Sequence, residues 1–158
     1  MKPSTISQIQ KELTVLEPRQ LMDICLRLAK YKNENKELLS YLLFEGQDEK
    51  KFIANVKAEI DSQFTSMNVN TMYFIRKSVR KILRFTNKYI KYSGNYETEL
   101  ELRIYFCTRF KASAIPINKS ETLVNLYQNQ LKKINTVLSK LHEDIRIDYN
   151  NELERLAL

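Results

Sequence analysis

Two glycines and three prolines in 158 residues leave this chain few places to turn sharply. Sheet-rich folds place Gly, Pro and Asn at frequent tight turns, so the scarcity of breakers points to helices joined by short loops. Apolar residues recur at steps of three and four almost throughout, the period of a helix with one buried face. The pattern predicts an all-α fold of about seven helices, arranged as an irregular bundle or as stacked helix pairs. A chain of this length is one ordinary domain, residues 1–158, able to bury roughly two-thirds of its unfolded surface. The reading divides it into a helical body over 1–113 and one long C-terminal helix over 117–158, broken near Asp148 if at all.

Punctuation places the individual helices. Thr5 and Gln8 have capping-box spacing and open a short helix reaching about Leu16. Pro18 suits the first turn of a second helix, whose expected core stripe is Leu21, Ile24, Cys25 and Leu28. The polar run Lys32 to Lys36 separates or bends it from "ELLSYLLFE", which Gly46 closes. Asp48 can cap a fourth helix with the stripe Phe52, Ile53, Val56, Ile60 and Phe64. Asn70 is the expected cap of a long fifth helix that stops at "SGN", Ser93 to Asn95. A sixth begins near Tyr96, where Glu97, Glu99 and Glu101 suit the positive end of a helix dipole, and ends before Pro116.

The last segment carries a seam. Val124, Tyr127, Leu131, Ile134, Leu138, Leu141 and Ile145 alternate steps of three and four over three heptads, as a coiled coil or an antiparallel helix pair requires. The seam fits packing against the rest of the chain or pairing with a second copy.

The charge is distributed unevenly. Of 26 basic and 19 acidic residues, the stretch Thr71 to Gly94 holds seven basic and no acidic ones, so the remainder balances at 19 against 19. Arg76, Lys77, Arg80, Lys81, Arg84, Lys88 and Lys91 fall within an arc of about 140 degrees on a helix, and Val79, Ile82, Leu83, Phe85, Tyr89 and Ile90 fall opposite. Such a strip extends roughly 22 Å. Four readings compete for it: a solvated face paired with the chain's own acids, such as Lys88 or Lys91 with Glu97 or Glu101; a nucleic-acid or other polyanion surface; a dock for an acidic protein; and a membrane-surface contact. Tyr73 and Tyr92 border the strip and are candidates to stack on bases.

No catalytic residue is identified. The pairs Glu34/Glu37 and Glu45/Asp48 superficially match the carboxylates of all-helical nucleoside triphosphate pyrophosphohydrolases. On one straight helix, however, Glu34 and Asp48 stand about 21 Å apart, too far to share a metal cluster. His142 has Glu143 and Asp144 beside it, but neighbours on a helix diverge by about 100 degrees and no nucleophile accompanies them. Cys25 and Cys107 both lie in apolar helical patterns and read as buried free thiols. No metal site, cofactor or small-molecule substrate is expected. The polar N-terminus resembles no signal peptide and no window is long enough to span a bilayer, so a cytoplasmic location is the default.

The run Lys11 to Phe64, followed by "RKSVRKILRF", resembles small all-helical bacterial proteins of a family of unknown function. The resemblance covers about residues 11–112, and the Lys-, Asn- and Ile-rich composition suits a Bacteroidetes-like source. It implies a helical fold and no mechanism. The expected function is a non-enzymatic protein-interaction or structural module, with a protein partner or second copy; the alternative is sequence-independent nucleic-acid binding through the basic face of helix 71–93.

Overall fold

A computed structural model describes residues 2–156 and is all-α, with eight α-helices and no strand among the described residues. The chain divides into two compact units, Met1–Phe44 and Glu45–Leu158.

In the N-terminal unit, Thr5 and Gln8 form the reciprocal capping box of α1 (Ile6–Thr14). Glu17 and Gln20 do the same for α2 (Pro18–Tyr31), with Pro18 in the first turn, where its missing N–H costs nothing. Lys32 is extended and interrupts the helix before α3 (Asn33–Ser40), and the Asn35 side chain donates to the Leu28 carbonyl at 2.9 Å. A π-helical turn, Tyr41–Glu45, ends the run ahead of Gly46. No residue of α1, α2 or α3 is buried. This corrects the expectation for α2: Ile24 and Leu28 are 39% and 54% exposed and Cys25 is an exposed thiol. The apolar stripe is present, but only Leu21 of it is half-buried and the rest is exposed.

The C-terminal unit has a true core. Asp48 caps α4 (Glu49–Thr65) through the Lys51 amide, and the buried residues of α4 are the expected Phe52, Ile53, Val56, Ile60 and Phe64. Helix α5 (Met72–Ser93) is capped by Thr71 instead of Asn70, because the Asn68 side chain holds the Asn70 amide in a turn and delays the helix by one residue. It ends at Gly94, whose φ of +65° is the left-handed conformation that glycine adopts without a Cβ penalty.

Helix α6 (Tyr96–Ala112) buries more than half of its circumference. Leu100, Leu102, Ile104, Phe106, Cys107 and Phe110 are buried over an arc of about 200 degrees, and Glu101, Tyr105, Thr108 and Arg109 occupy the other side. A helix buried over an arc that wide needs several neighbours. It packs against α4, α5 and α7 (Glu121–Leu138). Phe64, Phe106, Phe110 and Tyr127 form a chain of ring contacts, with centroids 5.8 to 5.9 Å apart, that joins α4, α6 and α7.

The single long C-terminal helix is replaced by two. α7 stops at Leu138 and α8 (Glu143–Glu154) starts after a break at Ser139–His142. Glu143 and Asp144 make a good first turn for a new helix, and His142 caps it. Arg146 reaches back to the Leu141 and Ser139 carbonyls at 3.0 and 3.1 Å, satisfying groups that the break exposes. The end of α8 is anchored where the buried Tyr127 hydroxyl donates to the Leu156 carbonyl at 2.8 Å. The buried row on α7 is Leu123, Tyr127, Gln130, Ile134 and Val137. Of the seam residues, Tyr127 and Ile134 are buried, and Val124, Leu131, Leu138, Leu141 and Ile145 are half-buried.

Replacing Phe106 by Ala removes a fully enclosed ring from the junction of the surrounding helices and should cost about 3–5 kcal/mol in urea unfolding. High pH should also unfold the protein. Burial pushes the Cys107 thiol from 9.0 to about 12 and the Tyr127 phenol from 10.0 to about 12. The folded state therefore keeps protons that the unfolded chain has already released. Stability should be constant below about pH 9 and fall as pH rises towards 12, seen as a decreasing urea midpoint.

Candidate functional site

Burial of one face of α5 dictates what the other face shows. Ile75, Val79, Ile82, Thr86 and Ile90 turn into the core. On the opposite face Lys77, Arg80, Lys81, Arg84 and Lys91 are exposed, and Arg76 and Lys88 are half-buried. Among the described residues, Arg76, Lys77, Arg80, Lys81, Arg84 and Lys91 form no salt bridge with any carboxylate. Lys88 lies 4.9 Å from the Tyr89 ring centre and 6.0 Å from that of Tyr92.

Three acids near α5 make contacts with other groups. Glu101, an expected partner of Lys88 or Lys91, pairs instead with Lys57 of α4 at 2.6 Å. Asp61 accepts from the Tyr105 hydroxyl at 2.7 Å and lies 2.6 Å from Arg109 Nε, an approach off the N–H axis that is electrostatic in character. Glu49 accepts from the Ser93 and Thr98 hydroxyls. These contacts join α4 to α6 and to the last residue of α5.

The strip does not stand alone. A hollow of about 710 Å³ is lined by Tyr73, Arg76, Lys77, Arg80, Leu83, Arg84, Asn87 and Thr122. A second, of about 620 Å³, shares Arg80, Leu83 and Thr122 and continues over Asn125, Asn129, Gln130, Lys132 and Lys133. Together they form a groove with α5 as one bank and α7 as the other. Neither bank supplies an acid beyond Glu121, since Ser62 to Tyr96 and Thr122 to His142 contain no carboxylate. The α7 bank is the part that strip-by-strip reading missed. Its signal was the acid-free, amide-rich run "NLYQNQLKKIN", which looked like one side of a seam.

Beneath the groove lies a buried cation. Arg103 of α6 is 6% exposed, and its Nη1 donates to Asn87 of α5 at 3.0 Å and to Gln130 of α7 at 2.8 Å. Its Nε donates to Glu99 at 2.7 Å. Asn87 lines one hollow and Gln130 the other, so one guanidinium ties both banks to the central helix. Glu99 balances the buried charge, which makes the fork affordable in a low-dielectric interior.

The aromatic expectation divides. Tyr73 is 62% exposed at the edge of the first hollow, whereas Tyr92 is 9% exposed and packs edge-on to Tyr89, unable to reach a base. His142 is exposed at the start of α8, beside Asp144 and away from any nucleophile. Among the described residues no three His, Cys, Asp or Glu side chains converge in a metal-binding cluster, and no helix is long and apolar enough to cross a membrane.

A polar cavity of about 520 Å³ gathers Lys57, Glu101, Tyr105, Asp148, Tyr149 and Glu152. Burial and the Asp61 hydrogen bond raise the Tyr105 phenol to about 12, and burial with nearby acids raises that of Tyr149. Both phenols stay protonated near neutral pH, and Lys57 is held by Glu101. The cavity thus holds an ion pair beside two protonated phenols.

No family model, curated protein or solved structure matches the chain. The functional reading therefore rests on the groove itself.

Arg103→Ala should strand the buried Gln130 amide and remove the tie between the banks. It should lower stability by about 1–3 kcal/mol, measured by urea unfolding, while Arg80→Ala on the exposed strip changes it by less than about 0.5 kcal/mol.

Proposed function

We propose that this protein binds the phosphate backbone of nucleic acid, without sequence specificity, in the groove between α5 and α7. One observation carries the reading: among the described residues, six cations of α5 form no salt bridge with a carboxylate, in a chain with 19 acidic residues. A structural face would pair some of its cations with acids of neighbouring helices, even though each exposed pair contributes little.

The groove suits a strand. Arg76, Arg80 and Arg84 repeat every four residues, about 6 Å apart along the axis, and present forked donors that match phosphate oxygens. Lys132 and Lys133 add point charges on the facing bank. Asn125 and Asn129 offer amides without repelling an anion, and Tyr73 offers a ring face. No recognition-helix signature accompanies the strip, so contacts go to phosphates and not to a base sequence.

Fluorescence anisotropy of labelled single- and double-stranded oligonucleotides across a salt series tests this. With about four phosphates neutralised, log affinity should fall with log salt at a slope of about −3 to −4. Arg80→Ala, Arg84→Ala and Lys88→Ala together should flatten that slope. Absence of binding at low salt, or binding untouched by the triple substitution, would remove the proposal.

A further inference from the structure

The groove between α5 and α7 offers more than charge. Leu83 lines both of its hollows and Leu126 lines the second, each half-buried, so part of the lining is apolar. Tyr73, 62% exposed, lines the first. It stands three and four residues before Arg76 and Lys77, which puts its ring and those charges on one face of the helix. The Phe74 ring meets it edge-on with centroids 5.4 Å apart, a contact that favours one placement of an otherwise solvent-facing phenol.

The amides beside these groups are oriented. A guanidinium only donates, so the contacts from Arg103 Nη1 turn the side-chain carbonyl oxygens of Asn87 and Gln130 towards it and leave their NH2 groups as donors. Asn87 lines the first hollow, and the exposed Asn125 and Asn129 line the second. Among the described residues no carboxylate lines either. Cations, amide donors, an apolar floor and an exposed ring therefore share one groove.

On the basis of the phosphate binding proposed above, we infer that the nucleic acid held here is single-stranded, with an unpaired base stacked on Tyr73 and its neighbour lying over Leu83. A duplex turns phosphates and sugars outward and keeps its base faces stacked inside. It can meet the cations but leaves the ring and the apolar floor without a counterpart. An unpaired strand supplies both kinds of group. Its phosphates reach Arg76, Arg80 and Arg84, its base faces cover Tyr73 and Leu83, and its base carbonyls and ring nitrogens accept from Asn87. Stacking is tolerant of sequence because every base has a π-face, which agrees with a groove that lacks a base-reading helix.

The test is fluorescence anisotropy at one low salt concentration with labelled oligothymidylate, oligouridylate and a mixed-sequence duplex, each about 12 nucleotides long. At least one single strand should bind about 10-fold or more tightly than the duplex, and whichever does so identifies the sugar of the strand. Tyr73→Ala should weaken single-strand binding about 5- to 100-fold and leave duplex binding within about 2-fold. Because it removes no charge, it should also leave the salt slope unchanged. Tyr73→Phe keeps the ring and should bind as the parent does. An unchanged urea midpoint verifies that each variant is folded, as expected for an exposed side chain. A duplex bound as tightly as both single strands, or Tyr73→Ala binding them as tightly as the parent, would overturn this inference and leave the phosphate-backbone reading standing. No binding to any of the three would remove both.

Discussion

A helix that buries more than half of its circumference must have neighbours on several sides, and α6 is such a helix. Leu100, Leu102, Phe106, Cys107 and Phe110 face a wide arc, and α4, α5 and α7 cover it. Each surrounding helix then has one face committed inward, and its remaining face is set by rotation alone. For α5 that rotation brings Lys77, Arg80, Lys81, Arg84 and Lys91 outward; for α7 it brings out amides and lysines beside them. The groove is thus a by-product of burying α6, fastened from below by Arg103 through Asn87 and Gln130.

Electrostatics follow from the same arrangement. The acids of α4 and α6 meet Lys57, Arg109, Tyr105, Ser93 and Thr98 within reach of their own helices, and short side-chain distances hold them there. Cations of α5 are left facing solvent, where mutual repulsion across one helix face is reduced by water and salt but not removed. A polyanion bound there, as proposed, would relieve that repulsion and release its own counterions. Exposed like charges of this kind contribute nothing to folding, and the proposed binding would give them a counterpart.

The helical class, most helix ends and the core stripe of α4 were legible because they depend on local chemistry: breakers, caps and a period of 3.6. The seven cations were legible for the same reason, since one helix determines their arc. Three features were not. The α7 bank emerges only when α6 brings two distant segments together. The break at Ser139–His142 contains no Gly or Pro, and its signal is the weaker one of two acids at a new first turn, with Arg146 satisfying the carbonyls left behind. The α2 stripe has the period of a buried face, but periodicity states that a face is apolar and does not name what covers it.

The central claim is that nucleic acid meets this protein along α5 and α7 and nowhere else in the C-terminal unit. Titrating a short single-stranded oligonucleotide into isotopically labelled protein and mapping backbone amide shifts tests it directly. The account predicts shifts concentrated between Tyr73 and Lys91 and between Thr122 and Lys133, with α4 and α8 unmoved. Shifts centred on α4 or α8, or spread evenly over the surface, would contradict it.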